Sequence, residues 1–100
     1  MAYQVVWSPK AIEDVEEIAS YIAKDSVAYA AAVVRKILDT TGNLSNFPLS
    51  GRIVAELGDP AIREKLVYSY RVIYRVEVET ITVAAVIHGK RLLDSEINES

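Results

Sequence analysis

The sequence predicts an α+β domain of order βααβββ, with a helical hairpin packed on one face of a small, mostly antiparallel sheet. Three observations carry this expectation. Apolar residues in the first half recur at helical spacing, from Ile62 onward they alternate with period two, and Ser, Pro and Gly residues punctuate the boundaries.

Tyr3 to Trp7 is a β-branched and aromatic run and reads as a strand. Ser8-Pro9 opens a helix, because serine accepts from the first free amides and proline has no N–H to leave unpaired. Ala11, Val15, Ile18 and Ile22 then give one apolar stripe. Glu13, Asp14, Glu16 and Glu17 complement the helix dipole and read as a solvated face. Asp25-Ser26 breaks this helix and caps a second, running to about Ser45, whose stripe is Ala30, Val33, Val34, Ile37, Leu38 and Leu44. Ala28, Ala30, Ala31 and Ala32 are small enough to let the helices approach as a hairpin. Phe47-Pro48 ends the helix, Pro48 to Arg52 is a loop, and Gly58-Asp59-Pro60 is a turn.

Strands follow at Ile62 to Leu66, Tyr70 to Glu77 and Thr80 to His88. The last is apolar on both faces, as a central, doubly covered strand would be. Burial is expected for Trp7, Val15, Ile18, Ile22, Val34, Ile37, Leu66, Val72, Tyr74, Val83 and Ala85. Residues 1–91 form one domain, and 92–100 are expected to be a mobile tail.

Composition narrows the function classes. One hundred residues, 51% hydrophobic and 25% charged, suit a single folded core. With no cysteine and one histidine, neither disulfides nor a metal site is expected, and no cofactor. There is no basic leader with an apolar stretch behind it and no bilayer-length apolar run, so the expectation is a cytoplasmic protein without a membrane partner.

The net charge is −3, yet between Ile62 and Arg75 stand Arg63, Lys65, Arg71 and Arg75, opposed only by Glu64. His88, Lys90 and Arg91 follow in the last turn. Such a patch on an acidic domain favours a polyanionic or carboxylate-bearing partner, against the plainer reading of a solvated sheet face. Register decides its shape. A two-residue turn at Tyr68-Ser69 would set Leu66 opposite Arg71 and mix charged with apolar residues on each face. A three-residue connection would set Lys65 opposite Arg71 and gather all four cations on one face. Segregation of charge from apolar residues favours the second register.

Four segments then resemble a known family: Trp7-Ser8-Pro9-Lys10-Ala11, Phe47-Pro48-Leu49-Ser50-Gly51-Arg52, Tyr70 to Val76, and His88-Gly89-Lys90-Arg91. In order and spacing they are similar to the RelE/ParE superfamily of type II toxin–antitoxin toxins, above all its ParE-like plasmid-stabilisation branch. The resemblance implies a growth-inhibiting toxin neutralised by a cognate antitoxin. A disordered, acidic and apolar segment of that antitoxin would cross the hairpin and the sheet. ParE-like members poison DNA gyrase, whereas RelE-like members cut messenger RNA at the ribosome. The RelE pattern falls on Arg63 and Lys65, on Arg71 and on Arg91, but its C-terminal tyrosine would fall at Ile97 and is missing.

RNA cleavage needs a base, cations for the developing phosphate charge and an acid. Arg71 and Arg91 suit the phosphate, Lys65 would be a base only with a pKa depressed by Arg63 and Arg71, and His88 is either a functional group or a turn residue. Tyr68 and Tyr70 could stack a base, although Tyr70 fits the core better. No convincing acid appears. The favoured expectation is gyrase inhibition through an anion-binding surface of Arg63, Lys65, Arg71, Arg75, Lys90 and Arg91. The alternatives are the ribosome-dependent nuclease and an interaction module without toxicity.

Overall fold

The computed structural model describes residues 2–91. Met1, Ile97 and the tail expected at 92–100 lie outside the described residues. The order is β1 (Gln4–Trp7), α1 (Pro9–Ala23), α2 (Val27–Asn43), β2 (Arg52–Ile53), β3 (Ile62–Val67), β4 (Tyr70–Val76) and β5 (Thr80–His88). The strands lie in the order β1-β5-β4-β3-β2, with β1 parallel to β5 and the other pairs antiparallel. The expected class therefore holds, with one added edge strand. At two residues, β2 is too short to show a period, and the sequence reads it as loop.

Both helix starts are where the caps put them. Ser8 Oγ accepts from Ala11 N at 3.0 Å, and Ser26 Oγ accepts from Tyr29 N at 3.0 Å. The hairpin buries Ala11, Ile22, Ala30, Val33 and Ile37 against Val67, Val72, Val83 and Val86. Trp7, Val15 and Ile18 pack half-buried on this cluster. Ile37 has no exposed surface, so Ile37→Ala should cost about 2–5 kcal/mol, read as a lower urea midpoint at unchanged slope.

β5 changes faces partway. Ile73 pairs with Ala85 but Tyr74 pairs with Val83, leaving Ala84 as a bulge. Val83 and Val86 consequently face the helices, while Ala85 and Ile87 join Val54, Ile62 and Ile73 on the opposite face. The bulged edge lies past the end of β1 and is held by α1. Ser8 Oγ donates to Ala84 O at 3.0 Å, and Val86 N donates to Asp14 Oδ2 at 2.9 Å. Asp14 also binds Lys10 Nζ at 3.2 Å, so it is a structural anchor and not part of a solvated face.

The hairpin register is the one the sequence argument rejected. Tyr68-Ser69 is a two-residue turn, with Leu66 opposite Arg71 and Lys65 opposite Val72. Tyr68 has φ 53°, as the first position of a primed hairpin turn requires. Directly opposed residues share a face. Leu66, expected in the core, thus lies on the face away from the helices and is 57% exposed. Leu38 is also exposed and Val34 half-buried, because they line the outer groove of the hairpin.

Candidate functional site

The observed register divides the expected cation cluster. On β3, Ile62, Glu64 and Leu66 share a face with Arg75, Ile73 and Arg71, while Arg63 and Lys65 share the helix-side face with Tyr74 and Val72. Arg71 therefore does not stand beside Lys65. Its neighbour on that face is Glu64, which is 4% exposed.

Arg71 is itself 6% exposed, and all three guanidinium nitrogens are engaged. Nε donates to Glu64 Oε1 at 2.7 Å, Nη1 and Nη2 donate to the two oxygens of Glu56 at 2.8 Å, and Nη1 also reaches Arg91 O at 2.9 Å. Arg52 Nε closes the network on Glu64 Oε2 at 2.5 Å. Bidentate pairing of a fixed fork with carboxylate is the strongest form of such a contact. The Glu56 bond first, then Glu64, holds the Arg71 pKa above its ordinary value even though burial opposes it. Arg71 is thus expended inside the fold. Arg71, expected among the anion-binding residues, stands in this structure as a buried tie between β4, β3 and the loop carrying Glu56.

The other expected residues scatter. Arg63 donates to the carbonyls of Pro60 and Gly51 at 3.0 Å each and so clamps two loops. Lys65 lines a groove against α2, and Arg75 lines a separate depression with Ser8, Lys10 and Glu77. His88, Lys90 and Arg91 form an exposed turn. Arg91 N donates to His88 O at 3.0 Å and Lys90 N to His88 Nδ1 at 3.2 Å, which gives His88 a turn-bonding role.

Around that turn lies an aromatic rim. The Tyr70 and His88 rings meet edge-on at 5.9 Å, and Tyr29 meets Tyr68 at the same separation. Burial, then the nearby Tyr29 and Tyr21, pushes the Tyr70 phenol up. Asp14, Glu17, Tyr21, Tyr70, His88 and Arg91 line a shallow pocket there. Arg91 is the one member of the nuclease pattern that reaches it.

Sequence reasoning missed Glu56, the burial of Glu64 against Arg71 and the tie between Gly51 and Tyr74. Tyr74 Oη accepts from Gly51 N at 2.9 Å and donates to Pro48 O at 3.0 Å, beneath the site. The Glu64–Arg71 contact was legible only with the two-residue turn. Nothing local marks Glu56, which arrives on a loop.

Residues 5–93 match the family model described as the ParE toxin of the type II toxin–antitoxin system parDE. Among solved structures, the chain is similar to the chromosomal ParDE toxin–antitoxin system of P. aeruginosa, with TM-score 0.71 and 18% identity over 87% of this chain and 96% of that one. It is also similar to the RelBE2 toxin–antitoxin complex of Mycobacterium tuberculosis, with TM-score 0.59 and 25% identity over 88% and 99%. A third likeness is the YoeB dimer of Staphylococcus aureus, with TM-score 0.62 and 16% identity over 88% and 98%. No curated protein sequence matches the chain significantly. No helix among the described residues is long and apolar enough to cross a membrane.

Proposed function

We propose, from the premise that this chain belongs to the ParE toxin family of type II toxin–antitoxin systems, that it stops growth by holding DNA gyrase in a harmful state and is neutralised by a cognate antitoxin. The carrying observation is the internal use of Arg71. A nuclease would aim that guanidinium at phosphate, where donors must meet charge developing in the transition state. Here two glutamates already occupy it. A poison that only binds has no need of a free cation there, and the exposed turn with Lys90 and Arg91 offers it a contact surface.

The antitoxin reading has support in the hairpin. Its outer groove, about 640 Å³, is lined by Ala23, Val27, Ala30, Val34 and Leu38, with Arg35 and Asp39 at the edge. An amphipathic segment that folds on binding would cover this apolar strip and carry its polar side outward. The solved relatives named as ParDE and RelBE2 are themselves toxin–antitoxin systems or complexes.

Expression of the chain alone should arrest growth with double-strand DNA breaks, and the purified chain should inhibit gyrase supercoiling. Arg91→Ala should weaken gyrase binding and toxicity in parallel, by about 1–3 kcal/mol in affinity. Co-expression with the neighbouring antitoxin gene product should restore growth and yield a complex. Cleaved translated messages with intact DNA would transfer the assignment to the ribosome-dependent nuclease. Unaffected growth would leave an interaction module.

A further inference from the structure

A groove between α2 and β3 is charged unlike the rest of the molecule. Lys36, Thr40 and Asn43 descend one side of α2, Phe47 and Ser50 form the floor loop, and Lys65 with Leu66 closes the far wall. No carboxylate lines it, although the chain is net −3. Asp39, one turn beyond Lys36, faces the hairpin groove instead. Among the described residues, neither Lys36 nor Lys65 has an ion-pair partner, in contrast to Arg71 with two and Arg52 with one. The groove is thus a local positive potential that the fold does not neutralise.

Its second component is aromatic. Phe47 is 65% exposed, yet its backbone is fixed. Its N–H donates to Asn43 O at 3.2 Å, and its carbonyl accepts from Ser50 N at 3.1 Å. A large apolar ring is therefore held in water on this hydrogen-bonded loop, lining the same groove as Lys36 and Lys65. The end of α2 puts little negative charge there, because the amides of Leu44, Ser45 and Asn46 already bond the carbonyls of Thr41, Gly42 and Asn43. Thr40, Asn43 and Ser50 add neutral polar groups able to bond sugar or base.

We propose that this groove binds a short stretch of single-stranded nucleic acid, with Lys36 and Lys65 on the phosphates and Phe47 stacked on a base. Flat ring plus cations is the pairing that holds single strands without reading sequence. An acidic peptide would satisfy the lysines but leave Phe47 without a use. A duplex would keep its bases stacked on each other and away from the ring. The groove needs neither gyrase nor the ribosome, so its occupancy is read on the isolated chain and stands apart from the choice of target.

The test is fluorescence anisotropy with a labelled twelve-nucleotide single strand of mixed sequence, titrated at several salt concentrations. Lys36→Gln and Lys65→Gln should each weaken binding and lower the slope of log affinity against log salt by about 0.7. Phe47→Ala should weaken binding about tenfold with the slope unchanged. All three side chains are at least partly exposed, so the fold should survive, as a urea transition would verify. Lys24→Gln, at the opposite corner of the hairpin, should change neither affinity nor slope beyond the general charge effect. Running the strand as DNA and as RNA identifies its source, and tighter binding of either supports the site. Three results overturn the proposal: no binding at low salt, equal weakening by Lys24→Gln, or full competition by an acidic peptide with Phe47→Ala silent.

Discussion

Arg71→Ala should destabilise the protein by about 3–5 kcal/mol, which is a large share of the 5–15 kcal/mol that holds a domain this size together. The loss comes less from the missing arginine than from what it leaves behind. Glu64 is 4% exposed and would be left with only the exposed Arg52 as a charged partner. Glu56 would lose both 2.8 Å bonds from the same guanidinium. Arg71→Lys should recover only part of the loss, since one ammonium cannot reproduce a fork spanning two carboxylates. Arg71→Met combined with Glu64→Leu should lie much closer to the parent, because a paired deletion removes the desolvation cost along with the bonds. Urea unfolding of the four proteins reads the order directly. The pKa of Arg71 is raised in the folded state, so its contribution is complete at every pH below the ordinary arginine range and fades only above it. On the guanidinium's account, the deficit of Arg71→Ala is therefore the same at pH 6 and pH 9. An Arg71→Ala protein as stable as the parent would refute the structural role. Loss of toxicity in this variant reports unfolding and carries no information about the target.

This pair also explains where the sequence misled. The helices were legible because their signals are local: Ser8-Pro9 and Ser26 at the starts, and an apolar stripe that repeats each turn. The strands were legible from period two. The β3–β4 register was not, because the rule that chose it places charge in water and apolar residues inside. Arg71 and Glu64 break that rule together by burying charge as a mutually satisfied pair among Ile62, Ile73 and Ile87, and the exposed Leu66 completes the inversion. In β5 the run from Ile81 to Ile87 is apolar at nearly every position, so no alternation reveals that Ala84 bulges and reverses the faces. The cations of the candidate site were visible as residue types. Their partners were not, since Glu56 and the carbonyls of Pro60 and Gly51 reach them only once the loops fold back.

Gly51→Ala should be the other severe substitution, at about 3 kcal/mol or more, although nothing in its turn-rich setting singles it out. Its backbone does not use a positive φ; what it requires is space. A Cβ there would stand 2.5 Å from Tyr74 Oη, 2.6 Å from the main-chain oxygen of Glu64 and 2.9 Å from Tyr74 Cε1. The tyrosine is fully buried and the carbonyl belongs to β3, so neither can yield without moving the sheet. Retreat of the loop would also break the Gly51 N to Tyr74 Oη bond and strand the hydroxyl's partner, Pro48 O. Tyr74→Phe isolates the second part, since it removes the hydroxyl and keeps the ring, and should cost about 1–3 kcal/mol. The expected order is parent, Tyr74→Phe, Gly51→Ala. An alkaline arm adds an independent reading. Burial, opposed by the Gly51 bond and by Arg63, pushes the Tyr74 phenol up. A proton held more tightly in the folded state gives stability that is complete below about pH 10 and falls as pH rises through the folded pKa. Tyr74→Phe should therefore lose less stability than the parent between pH 9 and pH 11. Since Gly51 O also accepts from Arg63, and Ser50 and Phe47 precede it in the loop, displacement at Gly51 should loosen the α2–β3 groove as well. A Gly51→Ala protein with parental stability would show that the loop has room the contacts deny.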